Sequence, residues 1–263
     1  MMVSPEIWHL DTKVIGKSVW CFDRLNSTST LAAQLAADPG NNGLAILAEE
    51  QTQGRGQHGR VWESSPGVSV LLSVLIFPPA IYRLPSLLTA WAAAGVGETI
   101  QQILGIRAAI KWPNDILIDR RKVCGILIEQ GRGTVAGIGL NVRQTPLDFS
   151  KQGLAMAASL QNFTPHPLNT HEVARALLRN LDDLYQQLLE GQLDQLLALW
   201  KNGLGLLGKA VVLEERGRTR RGILEFMDFE RITLRDIQGQ LQSFPPENIS
   251  QLFADSLAAE SEP

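Results

Sequence analysis

The sequence predicts an α+β fold, with a large domain of strands and helices over 1–203 and a small antiparallel barrel over 204–263. Three observations carry this. The chain has 263 residues, more than one hydrophobic core usually serves, so a large domain with a small partner is expected. Up to Trp200, long segments apolar at helical spacing alternate with short β-rich runs. Beyond Gly203-Leu204-Gly205 the helical period ends, and only short strands separated by turns remain.

Each element has its own signal. After an extended opening, the hydroxyl run Ser27 to Thr30 supplies N-cap candidates for a helix over Leu31 to Ala37, stopped by Pro39-Gly40. Leu44 to Ala48 reads as a short buried strand leading into Glu49-Glu50-Gln51, and Val68 to Phe77 as another, closed by Pro78-Pro79. Leu84 to Leu104 is apolar at helical spacing, with alanines that permit close packing, so a buried helix is expected. Ala108 to Trp112 and Ile116 to Ile118 read as strand interrupted by Pro113-Asn114-Asp115. Asp119 to Lys122 is a polar turn, with Arg120 and Arg121 expected in solvent. Val123 to Glu129 and Thr134 to Val142 form a hairpin around Gly131-Arg132-Gly133. Thr170 to Leu189 and Leu193 to Trp200 are amphipathic helices. Ala210 to Glu214, Arg221 to Phe226, Arg231 to Arg235 and Leu241 to Phe244 supply the barrel strands. The tail from Ala254 to Pro263 is polar and expected to fray.

Composition excludes several classes. At 44% hydrophobic and 19% charged the chain can bury a core and is not disordered. A formal net charge of −3 argues against broad binding of DNA or RNA but allows a local basic site. Two distant cysteines, Cys21 and Cys124, make neither a disulfide framework nor a zinc site. Met1 to Leu10 lacks a signal-peptide pattern, and no apolar run reaches membrane-spanning length. A cytoplasmic protein that engages no membrane is expected.

Two segments concentrate the candidate chemistry. Gly54 to Arg60, GRGQHGR, combines glycines that let backbone N–H groups approach an anion with arginines whose planar forks match carboxylate or phosphate. The plainer reading is a turn with solvated arginines. Lys111 to Asp115, KWPND, places a proline inside what otherwise reads as a central strand. It is either a β-bulge with an Asx turn or a carboxylate delivered to a pocket edge. If the segments on either side of the polar turn pair, Asp115 and Lys122 face one site, where the lysine can stabilise charge developing on a phosphate or carboxylate. Gly137-Ile138-Gly139 leaves one strand face without side chains, open to a flat ligand or to close backbone approach. Asn141 next to it suits a heterocycle edge, though a structural amide is commoner. Trp62 reads as a core anchor and Cys124 as a small buried apolar residue. His9, His58, His166 and His171 lack metal-ligand spacing and are read as surface residues, and no metal ligand is assigned.

In order and spacing these segments resemble the biotin protein ligases, whose loop of form GRGRxGRxW is followed by KWPND, K-x-x-G-I-L-x-E and G-x-G-x-N. Here they are Gly54 to Trp62, Lys111 to Asp115, Lys122 to Glu129 and Gly137 to Asn141. The ordered set is far more specific than any one member. The resemblance implies a mixed sheet flanked by helices, as in class II aminoacyl-tRNA synthetases, followed by an SH3-like barrel. It implies ATP-dependent joining of biotin to a lysine of the biotin carboxyl carrier protein of acetyl-CoA carboxylase, through biotinyl-5′-AMP and with Mg²⁺ assisting. It is compatible with a homodimer.

The implied catalytic residues are Lys122, Asp115 and Arg55. The implied ligand contacts are Ser27, Thr28, Ser29, Gln51, Gly54, Arg55, Gly56, Gln57, Trp62, Lys122, Gly125 and Asn141. The hydroxyls and Gln51 would meet the ureido ring, Arg55 and Gly56 would cover the carboxylate and α-phosphate, and Asn141 would lie by the adenine or metal region. Two positions depart from the family pattern. Gln57 stands where a second loop arginine is usual, and Ser29-Thr30 replaces an amide-containing pair. The segment before Ser27 is too short for the DNA-binding domain some members carry, so operator binding is not expected. The alternatives are a lipoate–protein ligase, and a biotin or nucleotide sensor that has lost transfer.

Overall fold

The structure is a computed structural model and describes residues 4–255. Strand β1 (Glu6–Trp8) pairs antiparallel with β2 (Val19–Leu25), so the extended opening is part of the sheet. Helix α1 (Thr28–Leu35) crosses over to β3 (Ala45–Gln51), which runs parallel to β2. It starts inside the hydroxyl run, with Ser27 as N-cap accepting from the Thr30 N–H. Then come β4 (Ser69–Ile76), helix α2 (Pro85–Leu104), β5 (Ala109–Lys111), β6 (Asp115–Ile118), β7 (Arg121–Gln130) and β8 (Thr134–Asn141). These strands form an eight-stranded sheet in the order β1-β2-β3-β4-β8-β7-β6-β5. Only β2 and β3 pair in parallel, so the sheet is mixed.

The Pro113 segment is not a central strand. The chain reverses at Trp112-Pro113-Asn114 and returns as β6, pairing Lys111 with Asp115 at the sheet edge. Proline in a turn has no ladder bond to donate, which removes the conflict. The next reversal, at Asp119-Arg120, has both residues at positive φ (47° and 62°), as a type I′ hairpin turn requires.

Helix α3 (Pro146–Lys151), which the apolar pattern did not signal, is set by a capping box between Thr145 and Asp148. Helices α4 (Thr170–Leu189) and α5 (Leu193–Leu204) follow. Helix α2 packs across α4 at Gly95, where a Cβ would press on Leu181, while the Trp91 indole donates to the Leu181 carbonyl at 3.0 Å. The main core lies between these helices and one face of the sheet, with Leu72, Val74, Ile126, Ile138 and Leu140 on the sheet side. A second, smaller core under α1 takes the other face, with Ile46, Leu75 and Val135. Strand β4 is buried along its whole length because both faces are covered.

Strands β9 (Ala210–Glu215), β10 (Arg218–Met227), β11 (Ile232–Arg235), β12 (Leu241–Phe244) and β13 (Ile249–Ala254) form a separate antiparallel sheet, ordered β12-β11-β10-β9-β13. Strand β13 was not anticipated. Trp200 lies between Trp112 and Phe229, at 5.9 and 5.5 Å between ring centroids, and the Trp112 indole donates to the Ile249 carbonyl at 2.9 Å. The KWPND turn is therefore held from behind by the second sheet. The expectation for the tail, beyond Asp255, and that for the His58 side chain lie outside the described residues.

Candidate active site

Residues directly opposite one another on paired strands share a face. The registers therefore align Asp115, Gly125, Gly139 and Leu71 in one row across the sheet, with Leu127, Gly137 and Ser73 in the next. This is the face that α1 covers at one end. Beside α1, the two rows form the floor of the site.

The loop Gly54 to Trp62 folds over this floor. It is a hairpin, closed by Trp62 N–H to Gly54 carbonyl at 3.0 Å, Gly56 N–H to Arg60 carbonyl at 2.8 Å, and a bridge between Arg55 and Val61. Of its glycines only Gly59 has positive φ (74°). Gly54 is needed for space, since a Cβ there would strike the Trp62 carbonyl. The loop ends with the Trp62 indole lying on Gly125 and Gly139, where added methyls would overlap the ring. The bare strand face thus receives the chain's own flat side chain. The Trp62 Nε1 is buried without a partner among the described residues.

Lys122 and Asp115 meet across β6 and β7 at 2.5 Å, as pairing of the two segments predicts. A register shift after Ile116 sets Lys122 opposite Leu117, on the Asp115 face, with its ammonium 5.7 Å from the Trp62 ring. Both ends of the pair are held by backbone. Asn114 donates its side-chain amide to the Ile126 carbonyl at 2.5 Å and accepts the Ile126 N–H at 3.1 Å. The Lys122 N–H donates to Met156 at 2.7 Å, and its carbonyl accepts from Ala158 at 2.9 Å. Asn141 serves this same strap: its amide donates to the Ala158 carbonyl and accepts from Gln144, both at 3.1 Å.

Arg55 pairs with Glu129 at 2.8 Å through one guanidinium nitrogen. The other donors of the fork have no partner among the described residues. At the α1 end, Gln51, Thr28, Ser29 and Ser73 form a connected polar cluster, with Gly137 giving it room: a Cβ at 137 would lie 2.8 Å from the Ser29 hydroxyl. Ser73 and Glu129 were not assigned a role from sequence. A serine at the centre of the otherwise apolar run Val70 to Ile76 was the available signal for Ser73.

Two surface expectations change. Arg121 is half-buried over the Phe163 ring at 4.7 Å. His171 meets Glu49 at 2.5 Å and packs edge-on against Trp8. Cys124 is buried as expected, and burial pushes its thiol above the ordinary range; burial likewise raises half-buried Cys21 to about 12. Both shifts disfavour the thiolate form. Among the described residues no cluster of three or more His, Cys, Asp or Glu side chains could hold a metal ion.

The fold and this one-faced site define a class, the adenylate-forming ligases of the biotin and lipoate type. The model of the biotin/lipoate A/B protein ligase family matches residues 21–144, which contain the hydroxyl–amide cluster, the loop Gly54 to Trp62, Asp115, Lys122 and Asn141. The chain is 32% identical over 228 residues to the bifunctional ligase/repressor BirA of Bacillus subtilis, spanning 79% of this chain and 70% of that one. It is 30% identical over 215 residues to the biotin–[acetyl-CoA-carboxylase] ligase of Paracoccus denitrificans, covering 78% and 88% of the two. Its fold is similar to the solved biotin protein ligase of Aquifex aeolicus in complex with biotin and ATP. That similarity has a TM-score of 0.75 at 24% identity over 90% of this chain and 99% of that one. The chain belongs to the biotin protein ligase family.

Proposed function

We propose that this protein is a biotin protein ligase that attaches biotin to a lysine of a biotin carboxyl carrier protein. The reading rests most on one observation: a neutral hydroxyl–amide cluster and the Lys122 ammonium lie along one sheet face, and the loop folded over that face carries the Arg55 guanidinium. The cluster suits a cyclic urea, which offers N–H donors and a carbonyl acceptor but no charge. The cations suit the carboxylate and phosphate that must react.

Biotin's carboxylate oxygen attacks the α-phosphorus of ATP and pyrophosphate leaves, giving the mixed anhydride biotinyl-5′-AMP. The carrier's lysine amine then attacks the acyl carbon, AMP leaves, and the amine loses a proton. Lys122 stabilises charge that builds on the phosphoryl oxygens, and Asp115 holds the ammonium in place. Arg55 closes the loop over the anhydride and keeps water from it. Magnesium, which the family resemblance implies, would arrive on the ATP phosphates, since the described residues offer no cage of acidic side chains for it.

The second sheet is read as an SH3-like domain starting after residue 203; the αL cap at Gly205 that ends α5 supports a boundary there. Free cysteines and the absence, among the described residues, of a helix long and apolar enough to cross a membrane support a cytoplasmic setting. The net charge of −3 supports a ligase without operator binding; a sequence-specific gel shift by this chain would overturn that. The main test is transfer. With ATP and a carrier domain, labelled biotin should be incorporated and labelled lipoate should not. Equal or preferential lipoate transfer refutes the reading.

A further inference from the structure

Gln51, Thr28, Ser73 and Ser29 are linked by oxygen contacts whose protons can be counted. Gln51 Oε1 accepts the Thr28 backbone N–H at 2.8 Å, which fixes the amide, since an NH₂ cannot face an N–H. Three hydroxyl contacts follow: Thr28 Oγ1 to Gln51 Oε1 at 3.1 Å, Thr28 Oγ1 to Ser73 Oγ at 2.7 Å, and Ser29 Oγ to Ser73 Oγ at 2.9 Å. There is one proton for each contact, and one arrangement serves all three. Thr28 donates to Gln51, Ser73 to Thr28, and Ser29 to Ser73. The reverse order leaves two oxygen lone pairs facing each other between Thr28 and Gln51 and makes one bond fewer, a cost that matters where all three hydroxyl residues are buried.

The direction of this chain decides what a ligand meets. Ser29 has spent its proton on Ser73 and offers only lone pairs. The Gln51 NH₂ group has no partner among the described residues and offers only protons. An acceptor and a donor at the two ends of the cluster are the complement of a cyclic urea's N–H and C=O. They are useless to a ring of carbon and sulfur.

We propose that Ser73 is the specificity-determining residue of this pocket. It acts as a positioning residue that holds the hydroxyl chain in one polarity, so that Ser29 recognises a ureido N–H. This rests on the biotin reading above.

The test measures selectivity rather than affinity alone. Full-length chain is titrated calorimetrically with biotin and with the two cyclic carbamates in which one or the other ureido N–H is an oxygen. For wild type, the carbamate that turns its oxygen toward Ser29 should bind about 100-fold more weakly than biotin, as expected where a site built for a donor meets an acceptor. In Ser73→Ala the Ser29 proton is free to turn outward, and the ratio should fall to about 10-fold or less, the size of one recovered hydrogen bond. Ser73→Thr keeps the hydroxyl and should keep the ratio. If Ser73→Ala does not fold, Ser29→Ala removes proton and lone pair together and should lower the same ratio. Variants that bind biotin with the wild-type ratio overturn the role of Ser73 alone. A wild type that binds no biotin overturns the ligase reading and this proposal with it.

Discussion

Gly139→Ala probes the contact that joins the loop to the sheet. A methyl built at 139 lies 2.7 and 2.8 Å from Cζ2 and Cδ2 of Trp62 and closer still to Cε2, whereas ordinary contact begins at 3.4 Å. The ring must therefore rise by more than 3.4 − 2.7 = 0.7 Å, because Cε2 is nearer still. Strand β8 cannot yield instead, because Gly139 is paired on both sides, to Leu71 and Gly125. The shift passes to the loop through the Trp62–Gly54 bond and to Lys122, which faces the same ring. Overpacking of this kind costs about 1–3 kcal/mol. A displacement approaching 1 Å of groups that position substrate costs about 100-fold in rate. The assay is biotin-dependent exchange of pyrophosphate into ATP, read beside a thermal melt. Repeating it in a Trp62→Ala background separates the clash from other effects, since the methyl then has no ring to strike and the second substitution should cost less than about threefold. A Gly139→Ala enzyme with wild-type exchange, or an equal loss in both backgrounds, refutes the account.

Three further outcomes follow from the same geometry. Lys122→Met should lower adenylation by at least about 100-fold with little change in melting temperature, because the ammonium is part-exposed and its backbone bonds remain; undiminished exchange removes it from the mechanism. Gln57→Arg adds a cation at the hairpin tip and should slow escape of biotinyl-5′-AMP several-fold, measured by filter-trapping of labelled intermediate; equal off-rates refute the idea that this loop holds the adenylate loosely. Buried Asp182 on α4 accepts the N–H groups of Lys13, Val14 and Ile15 at 2.6, 2.8 and 2.7 Å. Asp182→Ala orphans them and should cost about 3 kcal/mol or more, a fall in melting temperature of roughly 6–12 °C for a chain of this size; an unchanged melt shows that water replaces the carboxylate.

The elements legible in the sequence were those with a local signal. Helices α2 and α4 announced themselves by period, α1 by its hydroxyl cap, and the β7–β8 hairpin by its glycine turn. Strand β1, with three residues, and helix α3, with six, carried too little pattern to be read. Ala108 to Trp112 and Ile116 to Ile118 were read as strand interrupted at Pro113-Asn114-Asp115; what local pattern did not signal is that the chain reverses at that interruption and pairs Lys111 with Asp115. The motifs fixed which residues matter, and their spacing let Asp115 and Lys122 be paired in advance.

Sequence alone determined the composition of the site: glycines where no side chain fits, an isolated serine in an apolar strand, a lysine and an aspartate either side of a turn. These are properties of single residues and their near neighbours. Register decided the rest. It set Gly125 beside Gly139 so that Trp62 had a floor and brought Ser73 from β4 between two hydroxyls of α1, while the fold of the loop matched Arg55 to Glu129. Such contacts join residues far apart in the chain, and only the pairing of whole strands fixes which of them share a face.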